Sequence, residues 1–295
     1  MRGLWVLAAS ADDAGAEERQ LLATLLRARI AGRADRLLLN TCHRVEVYGI
    51  GAADETVPPL TARRGAVAIE HLFRVAAGLE SAMVGEDEVL HQVRNALRTA
   101  RAEGPVDPRL QRLFEVATAA GRRARAGRTA SGAGLAGRAV GWLGERATLA
   151  GQTVVVAGAG RMGSALAHAA ADAGARVTIA SRNPHHARRL AAVYGGLGVD
   201  LAAGAELAET SAGVAVALAG VWEDLSRPRT LPPIADISAP SAVPAGVRAG
   251  LNGSFLGIDD LFAGRQPPPR GYAQAAELVV AAKTAEYVAW LERRA

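Results

Sequence analysis

Cysteine occurs once in this chain, at Cys42, and lysine once, at Lys283. A single thiol excludes an intrachain disulfide and any cysteine-cluster metal site. Aromatic residues make up only 4% of the 295 residues. No apolar run approaches the roughly 18 residues of a membrane helix. The amino-terminal MRGLWVLAASADDAGAEERQ turns acidic too early for a secretion signal. These absences lead to the expectation of a cytoplasmic globular protein with neither a membrane nor a metal as partner.

What is present is an apolar fraction of 50%, rich in Ala, Gly, Leu and Val, on a chain long enough for about two domains. The net charge of +5 comes from arginine. Between residues 109 and 128, Arg109, Arg112, Arg122, Arg123, Arg125 and Arg128 stand against a single acid, Glu115. Guanidinium forks match phosphate oxygens, so this stretch reads either as a nucleic-acid contact or as a solvated helix face.

Periodicity divides the chain into three parts. GLWVLAA, RLLLN and the alternating RVEVYGI read as strands around a helix near Glu17 to Arg29. Residues 66–149 read as helical throughout, with breaks at Gly78, at Gly104-Pro105 and in the Gly and Ser cluster from Gly127 to Gly134. From Gly151 onward, strands (TVVVAG, RVTIAS, AVALA, PIADIS) alternate with helix-like segments, the pattern of a parallel sheet with crossover helices. A last helix follows from Gly271, with Val279, Ala282, Tyr287 and Trp290 among its apolar positions.

The strongest fold signal is QTVVVAGAGRMGSALAHAAADAGARVTIASRN. Gly158, Gly160 and Gly163 form G-x-G-x-x-G after an apolar strand and at the start of a helix. Such glycines permit a sharp turn, close approach to a pyrophosphate and helix-on-strand packing, and the first-turn amides, with Arg161 and Met162 among them, face the phosphates. The alternative is a Rossmann unit that has lost its ligand. Where an NAD site places an acid, the second strand ends in Ser181-Arg182-Asn183, a hydroxyl and a cation suited to a 2′-phosphate, so NADPH is the expected cofactor.

Cys42 lies between two strands, where reactive groups are often displayed. A buried inert thiol is the ordinary alternative. Positive charge from His43 and Arg44 would favour the thiolate, and Arg44, Glu46 and Tyr48 alternate on one face of the next strand. A nucleophilic cysteine beside an NADP unit implies acyl transfer to sulfur and then hydride delivery to the thioester. The fold class expected is therefore α/β: an α+β catalytic domain over 1–149, a Rossmann-type NADP-binding domain over 150–270 and a C-terminal helix over 271–295.

NTCHRVEVYG resembles the S/T-C-N-R-x-E-x-Y signature of glutamyl-tRNA reductases, and HLFRVAAGLESAMVGEDEVLHQVRNALRTAR resembles the next signature of that family. LAGQTVVVAGAGRMG, ASRNPHHARRLA, ADISAPSAVPAGV and LGIDDL are similar to its later landmarks, so the resemblance covers nearly the whole chain. It implies NADPH-dependent reduction of glutamyl-tRNA through a cysteinyl thioester to glutamate-1-semialdehyde, a tetrapyrrole precursor, or a specialised variant of that reaction. It also implies Cys42 as nucleophile, His71 in proton transfer, Arg44 on the substrate carboxylate, and Thr41, Glu46, Ser81 and Glu86 near the substrate.

There are departures from the family pattern. His43 stands where the family has asparagine, AASADDAGAEE replaces a Ser-His-Lys-Thr-like stretch, and Ala217-Leu218-Ala219-Gly220 replaces a Ser-Thr-Ala element. The segment between Tyr48 and His71 is short, and the chain stops where the family continues into a dimerisation domain. The expectation is a monomer or a dimer formed through another surface. Two other readings stay open: a catalytically weak regulatory homologue that binds NADP and tRNA, and a reductase of some other acyl thioester.

Overall fold

A computed structural model describes residues 3–53, 58–81, 87–126, 134–226, 230–263 and 270–294. It separates into two compact units, one made of residues 1–131 with 264–295 and the other of residues 132–263.

The first unit opens with β1 (Leu4–Ser10), α1 (Ala16–Ile30), β2 (Arg36–Asn40), β3 (Arg44–Ile50) and β4 (Thr61–Arg64). The strands form an antiparallel sheet in the order β2-β3-β1-β4. Both faces of the central strands are covered, which is why GLWVLAA reads as a continuous apolar run rather than an alternation. Trp5, Leu7, Ala9, Val45 and Val47 pack with Ala23 and Leu26 of α1. Leu4, Val6, Leu37, Leu39 and Tyr48 face the helical layer.

That layer consists of α2 (Ala66–Ala77), α3 (Asp87–Glu103) and α4 (Pro108–Arg125). In α4, Leu110, Leu113, Phe114, Ala117, Ala120 and Ala124 recur at helical spacing and are all buried. The start of α4 is fixed by Pro108 at its first turn and by the Asp107 side chain, which accepts from the Arg109 amide at 2.8 Å.

The second unit begins at α5 (Leu135–Gly144) and continues β5 (Thr153–Ala157), α6 (Arg161–Asp172), β6 (Arg176–Ala180), α7 (Pro184–Ala192), β7 (Leu197–Val199), α8 (Leu201–Ala208) and β8 (Gly213–Val216). A 3-10 turn at Glu223–Ser226 leads to β9 (Ile234–Asp236), α9 (Ala245–Gly250), β10 (Phe255–Leu256) and α10 (Ile258–Ala263). All six strands are parallel, in the order β10-β9-β8-β5-β6-β7. This is the doubly wound order of dinucleotide-binding sheets, with its switch point between β5 and β8. The α/β class with a parallel Rossmann-type sheet, expected from the strand and helix alternation, is the fold observed.

The domain boundaries fall elsewhere than the sequence suggests. α5 lies within the expected 1–149 domain, yet it packs on α6 and belongs to the second unit. The final helix, α11 (Arg270–Glu292), belongs to the first unit. Tyr272 donates to Ala77 O at 2.5 Å and Tyr287 to Arg109 O at 2.7 Å, which ties α11 to the end of α2 and the start of α4. Its buried positions are Ala276, Val280, Tyr287 and Leu291, with Trp290 partly buried, whereas Ala282 is exposed. The short strands β4, β7 and β10 have no counterpart in the sequence reading.

Two glycines test the packing. A Cβ at Gly163 would lie 2.0 Å from Gly158 O, whereas one at Gly141, exposed within α5, would meet nothing within 4 Å. Gly163→Ala should therefore destabilise the second unit by about 1–3 kcal/mol through overpacking. Gly141→Ala should stabilise it by roughly 0.5–1 kcal/mol through backbone entropy. Calorimetric melting of the two variants checks both signs.

Candidate active site

The β2–β3 connection is Thr41-Cys42-His43, and its geometry is set by side chains on either side of the thiol. The Thr41 hydroxyl accepts from the His43 amide at 3.1 Å and from the Arg44 amide at 3.0 Å, closing the turn. Arg19 of α1, only 2% exposed, donates to Ala14 O at 2.5 Å and to Cys42 O at 2.8 Å. The Ala11 amide donates to His43 O at 2.9 Å. The AASADDAG loop thus braces the turn from behind. Cys42 itself is half-buried, and the Gln92 side-chain amide of α3 donates toward its Sγ at 4.0 Å.

Beneath the turn lies the polar row of β3. Alternation places Arg44, Glu46 and Tyr48 on the face under α2, where they are 3%, 0% and 0% exposed. A carboxylate without water must find donors. Glu46 accepts from Arg44 Nη1 at 3.2 Å, from His71 Nε2 at 2.8 Å and from the Tyr48 hydroxyl at 2.6 Å. Burial pushes its pKa up, but the charges and hydrogen bonds of His71, Arg44 and Tyr48 outweigh that and hold it at about 2. Burial, and then the Glu46 charge, drives the Tyr48 hydroxyl well above its ordinary value, so it remains a proton donor.

Arg44 Nη2 reaches the Glu80 carbonyl and lies 3.2 Å from His43 Nδ1. A guanidinium only donates, so His43 Nδ1 must accept and its ring proton sits on Nε2. Arg44 is thus turned to Glu46, and His43 accepts from Arg44 at Nδ1. The Arg44 Nε is buried and has no acceptor among the described residues. On the far side of Glu80, Arg74 Nε donates to its carboxylate at 2.5 Å, and Arg74 Nη1 reaches Glu277 of α11 at 2.7 Å. These contacts hold the Glu80 pKa below its ordinary value despite the opposing effect of burial.

The expected site residues separate accordingly. Arg44 and Glu46 of β3 and His71 of α2 come together, and Thr41 and Cys42 lie in the turn that precedes β3. Thr41 is occupied in closing the turn, and Glu46 is sealed beneath the sheet face rather than open to a substrate. Ser81 lies half-buried next to Glu80, and Glu86 is outside the described residues. Arg19, Arg74 and Gln92 escaped the sequence reading because a polar residue on an amphipathic helix looks like part of its solvated face, and Glu80 because it lies in the turn after α2. Of the arginine-rich stretch, Arg109, Arg112, Arg122 and Arg123 are exposed. Arg125 instead donates to Ala76 O and Gly121 O, a structural role, and Arg128 is outside the described residues.

In the second unit, the glycine turn follows β5 at the switch point. Gly158 has φ +122°, a left-handed value that favours glycine, and a Cβ there would lie 2.2 Å from Ala217 O. Gly160 caps α6 and opens onto free space, so backbone and ligand can approach closely. The first-turn residues Arg161 and Met162 lie at the helix end that attracts anions. At the end of β6, Ser181 is half-buried and Arg182 exposed. The Asn183 Oδ1 accepts from the His185 amide at 3.0 Å and from the His186 amide at 3.3 Å, which makes Asn183 the cap of α7. The turn, its open approach and the cationic strand end fit a phosphorylated dinucleotide. After β9, Asp236 accepts from the Ala242 and Val243 amides and from the Ser241 hydroxyl, so the ADISAPSAV landmark is a loop held by one buried carboxylate.

Among the described residues, no group of three or more His, Cys, Asp or Glu is arranged to hold a metal, and no helix is long and apolar enough to cross a membrane.

Comparison with known proteins places these features. Residues 9–127 match the model of the N-terminal domain of glutamyl-tRNA(Glu) reductases, and residues 153–224 that of coenzyme F420-dependent NADP oxidoreductases. A glutamyl-tRNA reductase of Rubrobacter xylanophilus is 34% identical over 88% of this chain and 69% of that protein. One from Methanopyrus kandleri is 43% identical over 56% of this chain, which spans less than half, 44%, of that relative. The solved structure of glutamyl-tRNA reductase from Methanopyrus kandleri aligns over 99% of this chain and 81% of its own at 29% identity, with a TM-score of 0.51.

Removing the Glu46 charge should be costly. Glu46→Gln strips the carboxylate from a buried guanidinium, and breaking such a pair costs about 3–5 kcal/mol. The native carboxyl titrates at about 2 against 4.5 for an ordinary one. Its contribution, on the order of 3 kcal/mol, is thus complete above pH 4.5 and is lost as pH falls toward 2. Urea titrations at pH 7 and pH 3 should show the gap between wild type and Glu46→Gln narrowing on acidification.

Proposed function

The chain belongs to the glutamyl-tRNA reductase family, and on that premise we propose that it reduces the aminoacyl ester of glutamyl-tRNA to glutamate-1-semialdehyde through a thioester on Cys42, with NADPH as the reductant. The observation that carries this reading is the sole thiol of the chain, half-buried in a turn that Thr41 closes and Arg19 fixes, above a buried array of Arg44, Glu46 and His71.

The thiolate of Cys42 attacks the ester carbonyl carbon. A carbon–sulfur bond forms, the carbon–oxygen bond to the terminal ribose breaks, and the tRNA leaves as an alcohol that takes up the proton released by the thiol. Arg44 holds the side-chain carboxylate of the glutamyl group: its buried Nε lacks an acceptor among the described residues, and exchange of the Glu80 carbonyl frees a second donor beside it for a bidentate grip. His71 exchanges protons at Nδ1, because its Nε2–H is committed to Glu46. Gly158, Gly160 and Gly163, with the first turn of α6, would hold the pyrophosphate of NADPH, and Ser181 with Arg182 its 2′-phosphate. When bound, NADPH would supply a hydride to the thioester carbon, with Cys42 released as thiolate and the aldehyde and NADP+ as products. Arg109, Arg112, Arg122 and Arg123 on α4 offer the tRNA backbone an exposed cationic row.

Intact-protein mass spectrometry after exposure to glutamyl-tRNA without NADPH should show one glutamyl adduct, located on Cys42. Adding NADPH should remove it and release semialdehyde. The Cys42→Ser protein should form neither adduct nor product, and semialdehyde made by that variant would overturn the covalent mechanism. Binding of tRNA should weaken about tenfold or more between 50 and 200 mM salt. Salt-independent turnover of a small acyl thioester, with no reaction of charged tRNA, would replace the substrate class.

A further inference from the structure

We propose that α1 is a self-association surface: a second copy of this chain docks on it with its own α1 antiparallel, about a two-fold axis that passes between Leu21 and Leu25. The surface lies on the side of the sheet turned away from the polar row of β3, and the inference stands independently of any role for Cys42.

Helix α1 has two apolar sides. The inner side is spent on the sheet, where Ala23 and Leu26 pack with Trp5, Leu7, Val45 and Val47. On the outer side Leu21 and Leu25 are each 67% exposed, and Ala28 beyond them is exposed too. At the usual helical advance, the two leucines lie about 20° on either side of the line opposite Ala23, with Glu18 and Ala28 about 40° from it on opposite sides. One exposed leucine is ordinary, whereas two at i and i+4 form a ridge that another helix can cover.

The charges on this face select which helix fits. α1 carries Glu17 and Glu18 in its first turn and Arg27 and Arg29 in its last. A parallel copy would set acid against acid and base against base. An antiparallel copy reverses this. A two-fold axis at the level of Ala23 sets Leu21 of each copy opposite Leu25 of the other, and brings Glu18 to within about 1.5 Å, measured along the helix axis, of the level of the second copy's Arg29. Arg29 lies about 60° from the line opposite Ala23, on the same side as Glu18, so the two meet along one edge of the contact. Symmetry makes this pair twice. Glu18 and Arg29 are both exposed, and neither side chain has a hydrogen-bond or ion-pair partner among the described residues. An acidic start, a central leucine pair and a basic end make the helix complementary to itself; a helix that faces an unrelated partner needs no such symmetry.

The arrangement leaves the rest of the first unit undisturbed. Val45 and Val47 of β3 face α1, whereas Glu46 and Tyr48 face α2, so a copy on α1 does not cover the polar row. Arg19, which holds the Cys42 carbonyl, is buried on the inner side of α1 and takes no part in the contact. A contact along one helix of 15 residues is at the small end of specific interfaces, so the dimer is reversible and depends on concentration.

Sedimentation velocity of the full-length protein, from about 5 to 500 μM in 50 mM salt, reads the association without any requirement for activity. Wild type should pass from monomer to dimer across that range. Leu25→Glu puts a charge on the ridge and should abolish the dimer at every concentration; because Leu25 is exposed, its melting temperature should match wild type. Glu18→Arg and Arg29→Glu should each weaken association about tenfold or more, since each sets two like-charged pairs face to face. The double variant Glu18→Arg/Arg29→Glu should recover the wild-type dimer, and an equimolar mixture of the two single variants should form a heterodimer. A wild type that stays monomeric throughout would overturn the proposal, as would a dimer that survives Leu25→Glu, which would place the contact on another surface. Loss of the dimer in both single reversals without recovery in the double variant would overturn the antiparallel pairing.

Discussion

A carboxylate with no exposed surface organises the first unit. Glu46 sits at the centre of the antiparallel sheet, and burying its charge requires that Arg44, His71 and Tyr48 all converge on it. Each donor then constrains something else. His71 fixes the rotation of α2 above the sheet, and Tyr48 packs edge-on against Phe114 of α4 at 5.3 Å. Arg44 reaches the Glu80 carbonyl, Glu80 engages Arg74, and Arg74 engages Glu277 on the last helix. The outermost of these pairs is exposed and contributes little by itself. The inner part is water-free, so a defect there is felt through every member.

The second unit is organised by a different means. Its order comes from backbone held close to backbone: Gly158 against Ala217 O, Gly163 against Gly158 O, and Gly198 against the backbone of Arg188. Where polar atoms are buried, a single side chain gathers several amides, as Asp236 does after β9. One unit is thus ordered by a buried polar array, and the other by close backbone packing.

Much of the fold was legible in the sequence because the strands of the second unit are apolar runs with clear turns, and because G-x-G-x-x-G has its whole βαβ setting. The alternation of Arg44, Glu46 and Tyr48 was legible too, but alternation says only that these residues share a face. That the face is covered by α2 depends on residues more than twenty positions away. The boundary near residue 150 misled because Gly151 ends a loop inside the second unit, whereas the real change of unit falls in the glycine and serine cluster preceding α5. Strands as short as β7 and β10, of three and two residues, carry too few side chains for a period to show. The partnerships of Arg19 and Gln92 with Cys42 are long-range, and nothing local marks them.

The return of α11 to the first unit makes that unit discontinuous along the chain. Its last helix is synthesised only after the whole of the second unit, which lies between residues 132 and 263. Phe73, which meets Tyr287 edge-on, and the Ala77 and Arg109 carbonyls, which accept from Tyr272 and Tyr287, therefore wait without α11 while more than a hundred intervening residues emerge. On a ribosome the nucleotide-type unit is complete first, and the unit holding the thiol is closed last. The unit that holds Cys42 can close only after its companion has been synthesised.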